Sequence, residues 1–259
     1  MRSVGLSGQI VRVLWWSSVA LLVAGGVVWA ARLPLPAGVP LGAGLALLGL
    51  NVLIGGDVST GAALRGYTAR GAVARGHLEA RCGLSDLHVG ACGADRLAQT
   101  QFGPVGKPIF DEIDGVAYLR LAAPRFLPSM ALWAAHIAPN VLWDINVRST
   151  LGHLTLDLGE LRTEQVTVRT ALGRVSLGCG SRGYTRITIH AGLGEVILRV
   201  PPDAEARVKV VRGALSDLTI KNERFLALGR DRFATPGFKT STAQVEVEVI
   251  TRLGDVLIV

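Results

Sequence analysis

The hydrophobic pattern of the chain changes period twice. From Val13 to Ala31 nineteen residues carry no charge and fifteen are apolar. A helix of that run is apolar all round and about 28 Å long at ~1.5 Å per residue, close to the thickness of a bilayer core. After Arg32 a second uncharged run covers residues 33–56, with Pro34, Pro36 and Pro40 at its turn and early helix and its most apolar part at 41–54. The two runs predict a transmembrane helical hairpin over 1–56. Trp15, Trp16 and Trp29 lie near the ends of the first span, where indoles favour the membrane interface. The competing reading is a cleaved signal peptide ending at Val28-Trp29-Ala30. The length of the apolar run and the second span that follows it favour the hairpin. Gly38, Gly42 and Ala46 are four apart and predict a small-residue stripe for helix packing.

Residues 57–76 have neither helical nor strand periodicity. Leu64-Arg65-Gly66, Ala69-Arg70-Gly71 and Ala74-Arg75-Gly76 recur every five residues, which predicts an irregular juxtamembrane linker. Each of Arg65, Arg70 and Arg75 is expected to contact the membrane surface, worth about 1 kcal/mol beside anionic lipid.

From residue 77 the period becomes two. One unit recurs: Leu, Gly or Ser, any residue, then two aliphatics separated by one position. It starts at Leu84, Leu151, Leu172, Leu193, Leu215 and Leu253, and the starts from 151 to 215 are 21, 21 and 22 residues apart. The small residue permits a tight or left-handed turn, and the alternating aliphatics share one strand face. Further alternation at 166–169, 187–190, 208–210 and 245–249 adds a second strand to each period. One such coil cannot bury its apolar face, but a stack can. The fold class expected is therefore an all-β repeat stack, a β-solenoid or toast-rack-like body, behind the hairpin. A Greek-key sandwich is the alternative. Residues 100–145 interrupt the repeat, with a short helix expected over 130–137, and 221–244 reads as an irregular cap. The domains expected are 1–56, 57–76, an N-terminal β-subdomain at 77–140 and the repeated stack at 141–259.

The glycine-marked strands behind an apolar anchor resemble bacterial toast-rack domains, residues 77–122 being similar to that family's N-terminal subdomain. Trp143-Asp-Ile-Asn-Val147 through Asp157-Leu158, with the copies at 172 and 193, resembles the C-terminal domain of LiaF-like proteins. The resemblance implies a bacterial inner-membrane regulator of envelope stress that modulates a sensor kinase. It implies no catalytic residues.

Composition sharpens this picture. Residues 1–76 hold six arginines against Asp57, so +5 of the +7 net charge belongs to the anchor and linker. Arginines flanking both spans place the termini, and with them the β-domain, on the cytoplasmic side. Three cysteines in 259 residues exclude a disulfide scaffold. Cys82 and Cys92, ten apart with His77 and His88 nearby, fit a metal or redox pair or else a core position, since Cys82 shares a face with Leu78 and Ala80. Cys179 is expected at a turn, and His153 and His190 on solvated strand positions. Catalytic and phosphate-binding motifs are lacking, so no enzyme activity and no cofactor is expected. The expected partners are membrane lipid and a protein, with no nucleic acid. A self-assembling structural role, as a homo-oligomer, and an extracytoplasmic carbohydrate or ligand-binding role are the alternatives.

Overall fold

The computed structural model describes residues 4–31, 38–55, 63–68, 72–83, 85–93, 95–102, 108–122 and 132–259. Two helices, α1 (Val4–Ala30) and α2 (Gly38–Gly55), pack on each other as an antiparallel pair. Pro40 sits in the first turn of α2, where its missing N–H costs little. Among the described residues no helix is long and apolar enough to cross a membrane.

The close contact between the helices is made by glycines other than the expected ones. A Cβ on Gly25 would lie 2.6 Å from Leu41 Cγ, and one on Gly44 would lie 2.8 Å from Leu22 Cγ. The pair is reciprocal: each helix offers a glycine to the other's leucine. Gly38 and Gly42 meet open space and Ala46 is exposed. At about 100° per residue Gly38 lies about a third of a turn from Gly44, and Gly42 and Ala46 nearly half a turn, so the stripe faces away from α1.

The rest of the described chain is strand. The first seven strands are β1 (Ala63–Tyr67), β2 (Arg75–Cys82), β3 (Asp86–Ala91), β4 (Ala98–Phe102), β5 (Ile109–Ile113), β6 (Val116–Ala122) and β7 (Leu132–Ile137). The repeat region supplies β8 (Leu142–Leu151), β9 (Leu154–Asp157), β10 (Arg162–Leu172), β11 (Val175–Gly178), β12 (Tyr184–Leu193) and β13 (Val196–Arg199). Last come β14 (Glu205–Leu215), β15 (Leu218–Ile220), β16 (Leu226–Gly229), β17 (Arg232–Ala234), β18 (Gln244–Leu253) and β19 (Val256–Ile258).

They form two sheets. One runs β1-β4-β7-β3-β9-β11-β13-β19-β15, the other β16-β17-β14-β18-β12-β10-β8-β2-β6-β5. Each repeat contributes a long strand to the second sheet and a short one to the first. The rungs stack in the same order in both: β2/β3, β8/β9, β10/β11, β12/β13, β18/β19, β14/β15. The last rung in sequence is thus inserted before the one that precedes it. Pairing between rungs is parallel and in register, which a Greek key does not give. Aliphatics facing inward from both sheets, from Leu78 to Ile258, form one core cluster that contains no residue of either helix.

The turn glycines are required by the stacking. Gly173 has φ +133°, and a Cβ there would lie 2.0 Å from the carbonyl oxygen of Gly152. Gly194 repeats this against Gly173 at 1.9 Å. At ~4.8 Å between rungs the corners have no room for a side chain pointing along the stack. The copies with Ser85 and Ser216 lie in the first and last rungs of the series.

Several expectations are corrected. The linker is not irregular throughout, because β1 pairs antiparallel with β4 and Arg75 opens β2. Of the helix expected over 130–137, residues 132–137 are β7, whose ladder with β3 and β4 overrides local propensity, and 130–131 lie outside the described residues. Residue 140 breaks neither sheet, since β2 pairs with β8 and β3 with β9. The segment 221–244 contains the hairpin β16–β17, whose second strand pairs antiparallel with β14. Arg224 pins that segment by donating to Pro201 and Ala204 carbonyls and to Glu205.

Candidate interaction surfaces

The residues weighed as a metal or redox pair do not come together. Cys82 is buried in the core, and burial pushes its thiol up to about 12, as it does for Cys179. Cys92 is half-buried and donates to the Arg96 carbonyl. His77 stands on the outer face of the second sheet, 3.4 Å from Asp144 and stacked on Tyr118. His88 lies in the other sheet beside His136, with ring centres 5.4 Å apart. Among the described residues no cluster of three His, Cys, Asp or Glu side chains fits a metal ion. The backbone N–H of His153 donates to Asp86, and His190 is half-buried on β12.

The arginines expected at the membrane surface are dispersed. Arg65 is exposed on β1, its guanidinium 5.6 Å from the centre of the Phe102 ring. Arg75 lies 3.5 Å from Glu164. Arg70 lies outside the described residues.

What the stack does assemble is a ridge. The leading leucine of each unit falls at the end of a long strand, in register with its neighbours: Leu151, Leu172, Leu193, Leu253 and Leu215. Their exposures are 41%, 44%, 47%, 37% and 77% in that order. Five leucines in line at ~4.8 Å spacing make an apolar ridge about 19 Å long. Beside it, in the register row three residues back, stand Arg148, Arg169 and His190, with Arg81 completing the row next to Arg148. Arg81 is held by Glu79, whose carboxyl the Arg81 hydrogen bond keeps below the usual carboxylate range.

A groove of about 540 Å³ opens on the same sheet beside the β16–β17 hairpin at its edge, within the size range of ligand clefts. Arg186, Arg207, Lys209 and Arg232 line it together with Glu246, Glu248 and Thr188, and Leu228 forms an apolar rim. Glu246 accepts from Tyr184 at 2.6 Å and from Arg186 at 3.3 Å, and the Tyr184 bond holds its carboxyl below the ordinary value. Glu248 accepts from Lys209 at 2.6 Å. Arg207 packs over Phe238, 4.4 Å from the ring centre, and its Nε is buried without an acceptor. The hairpin turn is fixed by the Arg212–Asp231 ion pair and by Val210 N–H donating to the Asp231 carbonyl. Sequence reading missed both surfaces. The signal for the ridge was the repeated leucine itself, and for the groove the basic alternation Arg207-Val-Lys209.

Searches of protein families and of characterised proteins find no match to the chain. Among solved structures the chain is similar to a "putative cell adhesion protein" from Clostridium sporogenes ATCC 15579. The TM-score is 0.70 at 15% identity, over 76% of this chain and 98% of that one. That likeness shows the fold alone. A "putative adhesin" from Bacteroides fragilis NCTC 9343 overlaps 78% of this chain and 98% of its own at 9% identity, with a TM-score of 0.32.

Proposed function

We propose that the protein is a non-enzymatic β-scaffold, tethered to a bacterial inner membrane by its helical hairpin, that binds a protein partner in an envelope-stress role of the LiaF-like kind. The observation that carries partner binding is the leucine ridge. Five in-register leucines half open to water form a line rather than scattered exposed residues, and contiguous apolar surface of this sort favours contact with another molecule. The tether is supported by the outward apolar side chains of the hairpin, among them Trp16, Val23, Val27, Trp29, Val39 and Leu45. The interface tryptophans and the arginine-rich flanks favour a cytoplasmic β-domain.

The test is crosslinking in native membranes with wild-type chain and with Leu172→Glu/Leu193→Glu. The expected result is a specific crosslinked protein whose yield falls about tenfold or more in the variant. Thermal stability should change by no more than ~0.5 kcal/mol per site, because both side chains are solvated. Failure of the wild-type chain to recover any partner above background overturns the reading. A second reading, an extracytoplasmic adhesion or ligand-binding domain, is favoured by the adhesion description attached to the structural neighbour. An active periplasmic reporter fused after Val259 would select it.

A further inference from the structure

We propose that the groove bordered by the β16–β17 hairpin holds an extended acidic segment of the partner protein, its carboxylates two residues apart meeting Arg207 and then Lys209 with Arg232. The proposal rests on the partner-binding reading above and names what that partner presents. Its first support is charge. The groove holds four cationic side chains and two carboxylates, and each carboxylate is already engaged, Glu246 by Arg186 and Tyr184 and Glu248 by Lys209. Among the described residues no carboxylate lies within ion-pairing distance of Arg207 or Arg232. The buried Nε of Arg207 also lacks an acceptor.

The second support is spacing. Arg207 pairs in register with Glu246, and Lys209 pairs with Glu248 on one side and Arg232 on the other. The two rows are two residues apart along β14, about 6.8 Å. An extended peptide has the same repeat, so side chains at i and i+2 on one of its faces meet successive rows. Glu246 and Glu248 within the groove repel a dense polyanion. Leu228 at the rim offers an apolar contact beside the charged floor.

The experiment uses the full chain in mild detergent and three fluorescent octapeptides, read by anisotropy: alternating Glu-Thr, alternating Gln-Thr, and Glu-Glu-Thr-Thr. The Glu-Thr peptide should bind about tenfold or more tighter than both others, and Arg232→Ala or Lys209→Ala should each remove about tenfold. Arg162→Ala, an exposed cation of the same sheet outside the groove and the ridge, should leave the affinity unchanged. Equal binding of the Gln-Thr or Glu-Glu-Thr-Thr peptide overturns the proposal. So does an equal loss with Arg162→Ala, or tighter binding of tri-galacturonate than of any peptide. If the membrane crosslink survives in Arg232→Ala/Lys209→Ala but fails in the leucine variant, the groove is wrong and the scaffold reading stands. If wild-type chain gives no crosslink at all, the scaffold reading itself falls.

Discussion

The hairpin and the β body both depend on glycine, but for different neighbours. In the hairpin, Gly25 and Gly44 admit a leucine of the other helix, its Cγ and its backbone nitrogen, and apolar side chains such as Trp29 and Val39 point outward. In the body, Gly173 and Gly194 admit a backbone carbonyl from the next rung, and the apolar side chains point inward to a common core. Two packed helices can part slightly when crowded, whereas a stacked backbone cannot move without shifting its whole rung. The two regions should therefore differ sharply in how they tolerate the smallest added group.

The largest effect is expected in the body. Gly194→Ala places a methyl 1.9 Å from the Gly173 oxygen at φ +131°. Backbone strain of ~1–3 kcal/mol and overpacking of ~1–3 kcal/mol together predict a loss of about 3 kcal/mol or more. Denaturant unfolding of the body, followed by tryptophan fluorescence, checks it. A loss below about 1 kcal/mol would show that the corners are looser than the stacked carbonyls imply.

The middle effect is expected in the hairpin. In Gly44→Ala the added methyl meets Leu22 Cγ at 2.8 Å and the Leu22 backbone nitrogen at 3.1 Å, so the two helices must part slightly. The helix-propensity gain of Ala over Gly, about 0.8–1 kcal/mol, partly offsets the crowding. The unfolding transition of the body should be unchanged. A cysteine crosslink between the helices should weaken only in the larger substitution Gly44→Leu. If Gly44→Ala lowers body stability as much as Gly194→Ala does, the two regions are not independent.

How much of this was legible in the sequence follows from which neighbours set each position. The rungs were legible because inward aliphatics at Val175 and Leu177, or Val196 and Leu198, alternate on either side of a fixed glycine. The ridge was not. Strict alternation carries Leu172 inward after Val168 and Thr170, but Ala171 and Leu172 are both exposed where the strand leaves the core to turn the corner. Rung order was equally hidden, because β18 reads like every other long strand and only its partners β12 and β14 place it inside the last rung. Trp133 in β7 reads locally as helix and is strand because β3 and β4 flank it on either side. The groove needed residues from β12, β14, β17 and β18 at once, and a linear reading saw 221–244 only as a cap.

The smallest effect separates the two regions by proton. Residues 13–31 and 33–56 carry no charged side chain, so mild acid should leave the hairpin contact alone. In the body, burial and then the neighbouring His88 hold His136 below the ordinary histidine value. A histidine depressed in the folded state takes its proton more readily when unfolded. Its stabilising contribution is therefore complete above about pH 6.5, the unfolded value, and is lost as pH falls below it. Glu79 and Glu246, whose carboxyls are held low by Arg81 and Tyr184, lose their contribution only below about pH 4.5 and do not confuse the window. The denaturant midpoint of the body should fall between pH 7 and pH 5.5 in the wild-type chain, with a shallower slope in His136→Gln. The interhelical crosslink should be flat across the same range. An unchanged slope in His136→Gln would move the acid sensitivity to another group of the body, and a crosslink that weakens with it would couple the hairpin to the stack.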